Sequence, residues 1–123
     1  MIENLNGIHE TVKYKENSNV KLFINAEAED YPIHWHTPME IIMPLEGGYT
    51  VQIGDDLVHL NENDIIFIAS GVKHRLIAPD TGKRLILQIE WSAVSKIKEL
   101  NSILTLIAPA ITVSYTHLTL PTN

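Results

Sequence analysis

The stretch IHWHTPME, residues 33–40, sets two histidines on either side of a tryptophan, with a glutamate four residues after the second histidine. Successive side chains of a β-strand point to opposite faces, so His34 and His36 share one face and Trp35 takes the other. The proline in this stretch bends the chain, after which Glu40 can return to the side of the histidines. The pattern predicts a strand whose imidazoles converge on one site.

Short segments rich in β-branched and aromatic residues recur at even intervals and are separated by turn signals containing Gly, Asn and Asp. This spacing is typical of a sandwich or small barrel built from antiparallel hairpins. Pro44 cannot donate to a sheet ladder, so the strand around it should lie at an edge, a bend or a bulge. The strand segments are TVKYK, VKLFINA, EIIMPLE, YTVQI, LVHL, IIFIA, HRLIA and RLILQIEW.

The hydrophobic period changes after Trp91, where apolar residues recur at spacings of three and four. This spacing is typical of one face of an amphipathic helix. We expect such a helix over residues 93–108, with Ser92 as its N-cap and Pro109 as its stop. It covers the open side of a barrel, or it forms a partner-binding or homodimer surface; both interpretations stay open. The apolar positions are Val94, Ile97, Leu100, Leu104 and Ile107.

Composition and charge limit the classes of function. A chain of 123 residues suits one domain, and its formal charge of −6 argues against binding a nucleic-acid backbone by itself. Cysteine is absent, which excludes disulfides, thiolate metal sites and thiol nucleophiles. No apolar run approaches the roughly 20 residues that span a bilayer, and the start lacks a secretory signal. We expect a cytoplasmic protein with no membrane partner.

A later histidine, His74, can join the first two if the sheets curl toward one another. Three imidazole nitrogens and the carboxylate of Glu40 would then meet in one cavity. This donor set suits Fe(II), Mn(II), Zn(II), Ni(II) or Cu(II), with positions left for water or substrate. A His-x-His pair is also common in strands without a metal, where the rings are hydrogen-bonded in a core or exposed. A purely structural role for these residues therefore stays open.

The spacing of these residues resembles the two cupin motifs over about residues 31–91. The resemblance implies a mainly β fold, a cupin-type antiparallel β-barrel of jelly-roll form, followed by the C-terminal amphipathic α-helix. Asn63, Ala69 and Ala78 depart from the motif, where glycine, proline and asparagine are usual. These departures change the turns but leave all four ligand positions filled. The matching residues are His34, His36, Glu40 and Gly47 in the first motif, and Asp64, Gly71 and His74 in the second.

The wider chain is similar to the N-terminal effector-binding domain of AraC-family transcription regulators, over about residues 7–112. The similarity rests on YPIHWHTPMEIIMPLEGGYTVQI, on NDIIFIASGVKH, and on LILQIEW followed at once by the helical segment. It implies that residues 1–112 form a cupin effector-binding domain, a sensor severed from its helix-turn-helix half. DNA would then be bound only through the missing C-terminal region, and the effector would be a small polar molecule, with carbohydrate as a candidate class.

Two functions follow from this resemblance. In a sensor, no residue is catalytic and no cofactor is favoured, and the site residues act as paired donors and acceptors for the effector. The ligand-binding set is His34, His36, Glu40, Tyr49 and His74, with Trp35 as a second aromatic candidate. The alternative is a metal-dependent cupin enzyme of dioxygenase, isomerase or decarboxylase type. In that enzyme a divalent metal is bound by His34, His36, Glu40 and His74.

The end of the chain, residues 113–122, resembles the translation of a transposon-based sequencing adapter, VSYTHLTLPT. We therefore expect residues 113–123 to be a non-native tail, and His117 is not counted among the functional histidines. The native protein would then continue differently after Thr112.

Overall fold

The computed structural model describes residues 4–114 of the 123-residue chain, except for the side chains of Leu104 and Thr105. Eleven β-strands and two short α-helices lie in this part of the chain. The strands are β1 (Leu5–Asn6), β2 (His9–Glu10), β3 (Val20–Asn25), β4 (Tyr31–His34), β5 (Met39–Glu46), β6 (Tyr49–Ile53), β7 (Asp56–Leu60), β8 (Ile65–Ile68), β9 (His74–Ile77), β10 (Lys83–Ile89) and β11 (Ala110–Val113). The helices α1 (Trp91–Val94) and α2 (Lys98–Ile107) lie between β10 and β11.

Nine of these strands form two antiparallel sheets. One sheet has five strands in the order β11-β8-β5-β10-β3, and the other has four in the order β4-β9-β6-β7. The remaining two strands, β1 and β2, pair with each other in a separate ribbon. The prediction of mainly antiparallel β-structure is confirmed. The prediction of a closed barrel is not, because the ladders within residues 4–114 form separate sheets.

Period-two alternation explains why these segments form sheets with a shared core. In β6, Tyr49, Val51 and Ile53 are buried, whereas the residues between them are partly exposed. Buried residues of both sheets join in one cluster, so the two sheets pack face to face. The cluster contains Ile42, Ile66, Ile68 and Ile86 from the five-stranded sheet and Tyr49, Val51, Ile53, Leu60 and Leu76 from the four-stranded sheet.

Pro44 lies in β5, at a point where the ladder to β10 is irregular. Lys83 pairs with Glu46, whereas the next residue, Arg84, pairs with Pro44, so Leu45 is the extra residue of a β-bulge. A bulge tolerates a residue that has no N–H to donate to the ladder. The expectation of a bend or bulge at Pro44 is confirmed.

The five-stranded sheet is apolar on its outer face as well as on the face that meets the core. The two helices cover one end of this outer face, where Val94 and Ile107 pack with Met39. At the free edge, Leu22 is 60% exposed. One row of paired apolar residues crosses all five strands, namely Leu22, Leu87, Ile41, Phe67 and Ile111.

The helical segment differs from the single helix expected over residues 93–108. It is split into α1 and α2, with extended backbone at Ile97 (φ −93°, ψ 108°) before α2. Ser92 is not the N-cap, because Glu90 takes that position before α1. Val94 is anchored on the sheet, whereas Ile97 is 48% exposed. The contact of Val94 with the sheet therefore outweighs the helical period of the sequence.

The second helix leaves much of its apolar surface exposed. Leu100, Ile103 and Leu106 have exposed fractions of 41%, 50% and 83%. The homodimer expected through residues 93–108 stays a prediction.

Neither of the two described helices combines the length and the hydropathy needed to cross a membrane.

The strand β11 continues the five-stranded sheet after the helices. Its residues pair with β8 in antiparallel register, from Ala110 with Ile68 to Val113 with Ile65. Only positions 113 and 114 of the expected non-native tail are described, and Val113 takes part in the ladder. Residues 115–123, including His117, lie outside the described residues, so the domain boundary stays a prediction.

Candidate ligand and metal site

Three histidines from two distant parts of the chain meet on the inner side of the four-stranded sheet. His34 ends β4 and His74 begins β9, and the register of these strands places the two residues directly opposite each other. Their ring centroids are 4.3 Å apart, and the ring of His36 lies 5.0 Å from that of His74. All three side chains are buried, with exposed fractions of 1–2%. The structure therefore brings together the three histidines that the sequence selected.

Each of these rings is fixed by a hydrogen bond from its Nδ1 atom to a backbone carbonyl two residues away. A neutral imidazole that donates from Nδ1 keeps a lone pair on Nε2, which is the arrangement of a metal-binding or hydrogen-bond-accepting histidine. The ligand atoms of the three rings lie within 4.8 Å of one another. The carbonyl partners of His34, His36 and His74 are Pro32 at 2.7 Å, Pro38 at 2.8 Å and Val72 at 2.8 Å.

Glu40 supplies a carboxylate to this group from β5, in the opposite sheet. Its Oε1 atom lies 3.3 Å from Nε2 of His36, and its Oε2 atom lies 3.3 Å from Nε2 of His74. Gln88 of β10 donates a 2.8 Å hydrogen bond from Nε2 to the same Oε1 atom. Glu40 is 2% exposed. The four predicted ligand positions therefore form one buried cluster between the sheets.

The charges of this cluster are mutually dependent. Burial opposes the ionisation of Glu40, but its contacts with His36 and His74 outweigh burial and hold the pKa of the carboxyl well below its usual range. Burial also opposes the charged form of His36, yet its contact with Glu40 raises the pKa of that imidazole. Burial, and after it the proximity of His74, lowers the pKa of His34 to about 4. The contact between Glu40 and His36 therefore shifts the pKa values of these two groups in opposite directions, whereas His34 is neutral at neutral pH.

A cavity of about 300 Å³ adjoins the cluster and shares His34 and Glu40 with it. Lys21 and Tyr31 line this cavity, and the hydroxyl group of Tyr31 accepts a 3.1 Å hydrogen bond from Nδ2 of Asn25. Burial raises the pKa of Tyr31 to about 12, so this hydroxyl keeps its proton at neutral pH. The residues Glu10, Phe23, Glu27 and Gln88 also line the cavity.

Two residues of this site, Glu10 and Gln88, were not singled out by the sequence. Gln88 had a recognisable signal, because it occupies an inward position in the alternating strand RLILQIEW, where a polar residue needs a partner. The sequence carries no comparable signal for Glu10, because this residue lies in a two-residue strand 24 positions before His34. Its Oε1 atom is 3.7 Å from Nε2 of His34, and burial raises the pKa of its carboxyl.

The two aromatic candidates occupy other positions. Tyr49 lies in the shared core with an exposed fraction of 1%, and the guanidinium carbon of Arg84 is 4.4 Å from its ring centroid. Trp35 points away from the histidine cluster, as the alternation predicted, and its ring centroid is 4.3 Å from that of His9. A ligand-binding role for Tyr49 stays a prediction, and its surroundings are those of a packed core residue.

The donor set fits a divalent metal. Nε2 of His36, Nε2 of His74 and Oε2 of Glu40 are buried atoms with no hydrogen-bond partner among the described residues. Burying polar atoms without partners is costly, and a cation placed between them would satisfy all three. Nitrogen and carboxylate ligands of this kind suit Zn, Mn, Fe and Ni ions.

Comparison with known proteins identifies the family. Residues 22–89, which are more than half of the chain, match the family described as Cupin domain. The chain belongs to the cupin domain family. The first cupin motif begins at His34, the last residue of β4, and the second ends at His74, the first residue of β9. The prediction of a cupin domain is confirmed.

One curated relative of this cupin is a regulator. The chain is 34% identical over 55 residues to the uncharacterized HTH-type transcriptional regulator YdeC of Bacillus subtilis (strain 168). The match covers 44% of this cupin and 19% of the relative. The cupin therefore spans about a fifth of the length of this relative.

Solved structures share the fold of this cupin at low identity. The EutQ protein of Clostridium difficile matches with a TM-score of 0.51 and 17% identity, over 58% of this chain and 56% of that chain. The S161A mutant of Bacillus subtilis oxalate decarboxylase OxdC matches with a TM-score of 0.54 and 21% identity, over 62% of this chain and 22% of that chain. These likenesses show a common fold, which serves enzymes as well as other proteins.

Proposed function

We propose that this cupin domain binds a small polar molecule in the cavity beside His34 and Glu40 and acts as the sensor of a transcription regulator. The observation that carries the proposal is the cavity itself, whose lining includes several polar side chains from well-separated parts of the chain. The similarity to a regulator of the HTH type supports the regulatory role. On this proposal, DNA is bound by a region outside the 123 residues.

The lining of the cavity suits a molecule with several hydroxyl groups. Lys21 and Tyr31 can donate hydrogen bonds, whereas the carboxylates of Glu10 and Glu27 can accept them. The ring of Phe23 adds an apolar surface on which the face of a sugar ring can pack. A volume of about 300 Å³ lies at the small end of ligand sites. A monosaccharide or a similar polyol is therefore the proposed class of effector.

A ligand is sensed only if it binds two arrangements of the protein with unequal affinity. The ribbon formed by β1 and β2 is the element suited to this coupling, because residues on and beside it, including Asn4, Glu10 and Thr11, line the cavity. A ligand that contacts these residues stabilises the docked arrangement of the ribbon over any other. The proposed signal is a change in the population of the docked ribbon.

Thermal unfolding in the presence of monosaccharides, sugar acids and polyols tests the sensor proposal. A true ligand at 100 times its Kd should stabilise the protein by about 2.7 kcal/mol. Lys21→Ala should weaken that response, because Lys21 lines the cavity, whereas Lys73→Ala, an exposed residue outside the lining, should not. Equal responses of the wild type and Lys21→Ala to every stabilising compound would contradict binding in this cavity.

The second candidate function is a metal-dependent cupin enzyme, and the convergence of three Nε2 atoms within 4.8 Å favours it. His34, His36, Glu40 and His74 would hold the metal, with Gln88 fixing one oxygen of Glu40. A bound divalent metal would supply Lewis-acid chemistry and open positions for a substrate. The cavity beside His34 would then hold the substrate, and its lining residues would orient it.

Metal analysis of the purified protein tests this candidate. After supplementation with Fe(II), Mn(II), Zn(II) and Ni(II), we expect about one equivalent of metal per chain. Less than about a tenth of an equivalent with all four metals would exclude a metal-dependent enzyme at this site. Such a result would leave the sensor proposal intact, because the cavity does not need a metal to bind a polyol.

A further inference from the structure

We propose that Glu10 is an additional ligand of a divalent cation at the histidine cluster, so that cation binding fastens the β1–β2 ribbon to the domain. The inference rests on the metal-binding capacity of the site, which is the basis of the second candidate function. It does not depend on whether the loaded site senses a ligand or catalyses a reaction. Glu10 lies outside the two cupin motifs and approaches the imidazole of His34, whereas Glu40 contacts those of His36 and His74.

The positions of the two carboxylates complement each other around the three imidazoles. Glu40 contacts His36 and His74, at 3.3 Å each. The remaining imidazole, that of His34, is the one that Glu10 approaches, at 3.7 Å. Two atoms bound to one ion at about 2.1 Å can be at most about 4.2 Å apart. Each of these three pairs, taken singly, is close enough for both of its atoms to bind the same ion. The imidazole ligand atoms lie within 4.8 Å of one another, so an ion that binds the whole group would draw its members closer together.

The backbone holds Glu10 in this position from outside the sheets. The amide of Glu10 donates a 2.9 Å hydrogen bond to the carbonyl of Trp35, and the amide of Trp35 donates a 2.8 Å bond to the carbonyl of Ile8. Successive residues of a strand point to opposite sides. His9 therefore packs on the ring of Trp35, and Glu10 points toward His34 with 13% of its side chain exposed.

Charge matching supports the same assignment. Two ionised carboxylates and three neutral imidazoles sum to a charge of about −2, which a divalent cation neutralises. Without a cation, Glu10 and Glu40 repel each other in a poorly solvated cavity, and this repulsion favours release of Glu10. The ribbon is otherwise attached to the end of β4 by the two backbone hydrogen bonds and the ring contact between His9 and Trp35 described above. A cation shared by both carboxylates would convert repulsion into attraction and fix the ribbon in place.

The test compares the full chain with Glu10→Gln and with a matched control, Glu16→Gln. Glu16 is an exposed residue in the turn before β3 and outside the cavity lining. Titration with Mn(II) and Co(II), followed by calorimetry, should show that Glu10→Gln weakens binding by about 10- to 100-fold, as loss of a supporting ligand does in other metal sites. Glu16→Gln should bind both metals like the wild type.

Two further measurements separate direct ligation from a remote effect of charge. The visible absorption spectrum of the Co(II)-saturated protein reports the ligand set, so it should differ between the wild type and Glu10→Gln. Amide hydrogen exchange of residues 4–12 should slow on adding Mn(II) to the wild type but not to Glu10→Gln, with residues 49–60 as an internal reference. An identical Co(II) spectrum would show that Glu10 acts only through its charge and would overturn the proposal.

The outcomes also distinguish this inference from the metal site itself. If Glu10→Gln binds metal as tightly as the wild type, and the ribbon is equally protected, Glu10 is not a ligand although the site binds metal. If the wild type binds neither Mn(II) nor Co(II), the inference is overturned, whereas the metal-dependent enzyme is decided by the separate analysis with Fe(II), Mn(II), Zn(II) and Ni(II). Loss of ribbon protection together with weakened binding in Glu10→Gln alone is the result that we expect.

Discussion

Gln88 lies directly opposite Glu40 in the ladder between β10 and β5 and donates a 2.8 Å hydrogen bond to its Oε1 atom. This bond fixes the rotation of the carboxylate, so that Oε1 faces His36 and Oε2 faces His74. The amide of Gln88 thus orients the carboxylate of Glu40, which contacts the imidazoles of both His36 and His74. Because both partners are buried, no solvent molecule can readily replace the amide donor.

Replacing Gln88 by methionine should therefore impair the site without a large change in shape. Gln88→Met keeps the length of the side chain but removes the donor to Glu40, and metal affinity should fall by about 10- to 100-fold. Gln52→Met is the matched control, because Gln52 also lies in a strand but bonds only to the exposed carbonyl of Gly54. Calorimetric titration with Mn(II) measures both. Unchanged affinity in Gln88→Met would show that Glu40 is oriented without the amide.

Removing His74 should affect metal binding more than any change outside the cluster. His74→Ala deletes one imidazole of the group whose ligand atoms lie within 4.8 Å of one another. Affinity for Zn(II) or Mn(II) should fall by more than about 100-fold. His59→Ala is the control, because His59 is exposed and bonds to Thr50 on the far side of the sheet. Competition with a chromophoric chelator measures the affinities, and similar values for the two variants would contradict a metal site at residue 74.

The metal-free protein should lose stability as pH falls from about 6.5 to about 4. The folded state lowers the pKa of His34 from 6.5 to about 4, so the unfolded chain binds more protons in this window and acid favours unfolding. The loss attributable to His34 approaches about 3 kcal/mol at the acid end. The raised pKa of Glu10 stabilises the folded protein as pH falls through the lower part of this range, and so partly offsets the loss due to His34. The raised pKa of His36 affects stability only above pH 6.5.

Urea unfolding at pH 6.5 and pH 4.5, with a chelator present, measures this dependence. The comparison of wild type with His34→Gln isolates the contribution of His34, since the other groups titrate in both proteins. We expect a weaker pH dependence in His34→Gln and the wild-type dependence in His59→Gln. An equally steep loss of stability in His34→Gln would assign the effect to other groups.

Arg84 should be far more important for stability than its neighbour Lys83. Arg84 is 1% exposed and donates from Nη1 to Oδ1 of Asn25 at 2.6 Å and to the carbonyl of Glu27 at 3.0 Å, while it packs on Tyr49. Arg84→Met should cost about 2–3 kcal/mol, because it leaves buried acceptors without donors and removes the cation–π contact.

The control for this prediction is Lys83→Met. Lys83 forms an exposed ion pair with Glu46 at 3.4 Å, and such pairs contribute less than about 1 kcal/mol. The free energy of unfolding in urea measures both variants. Equal losses for the two would show that the buried guanidinium contributes no more than a surface charge.

Gly82 should resist substitution for a reason of backbone geometry. Its φ is +102°, and a Cβ atom there would overlap the carbonyl oxygen of Glu46. Gly82→Ala should cost about 3 kcal/mol of unfolding free energy. Gly54→Ala, at φ +59° with nothing within 4 Å of the added carbon, should cost only about 1 kcal/mol. Equal costs in urea unfolding would mean that the clash with Glu46 is relieved by a movement of the chain.

The segment after Trp91 shows the limit of predicting a helix from local apolar spacing alone. Apolar spacing after Trp91 predicted one helix, yet the chain forms two short helices separated by extended backbone at Ile97. The spacing reports which residues tend to share a face, and Val94 and Ile107 do pack in one cluster. It does not report whether the sheet beneath can accept a straight helix, which depends on residues such as Met39 far away in sequence.

The sequence alone predicted seven of the eight β-segments that it singled out, an edge, bend or bulge at Pro44, and the shared face of His34 and His36, because these depend on alternation and backbone chemistry within a few residues. The eighth segment, TVKYK at residues 11–15, forms no strand in the structure. The sequence also offered His74 as a third imidazole, and the cupin resemblance supported its place in the same set. Only the tertiary structure decided that Gln88 holds Glu40, that Glu10 approaches His34, and that Tyr49 packs beneath Arg84. Those contacts depend on strand register and on the packing of two sheets and a ribbon. Such long-range geometry arises from the whole chain, and no local period encodes it.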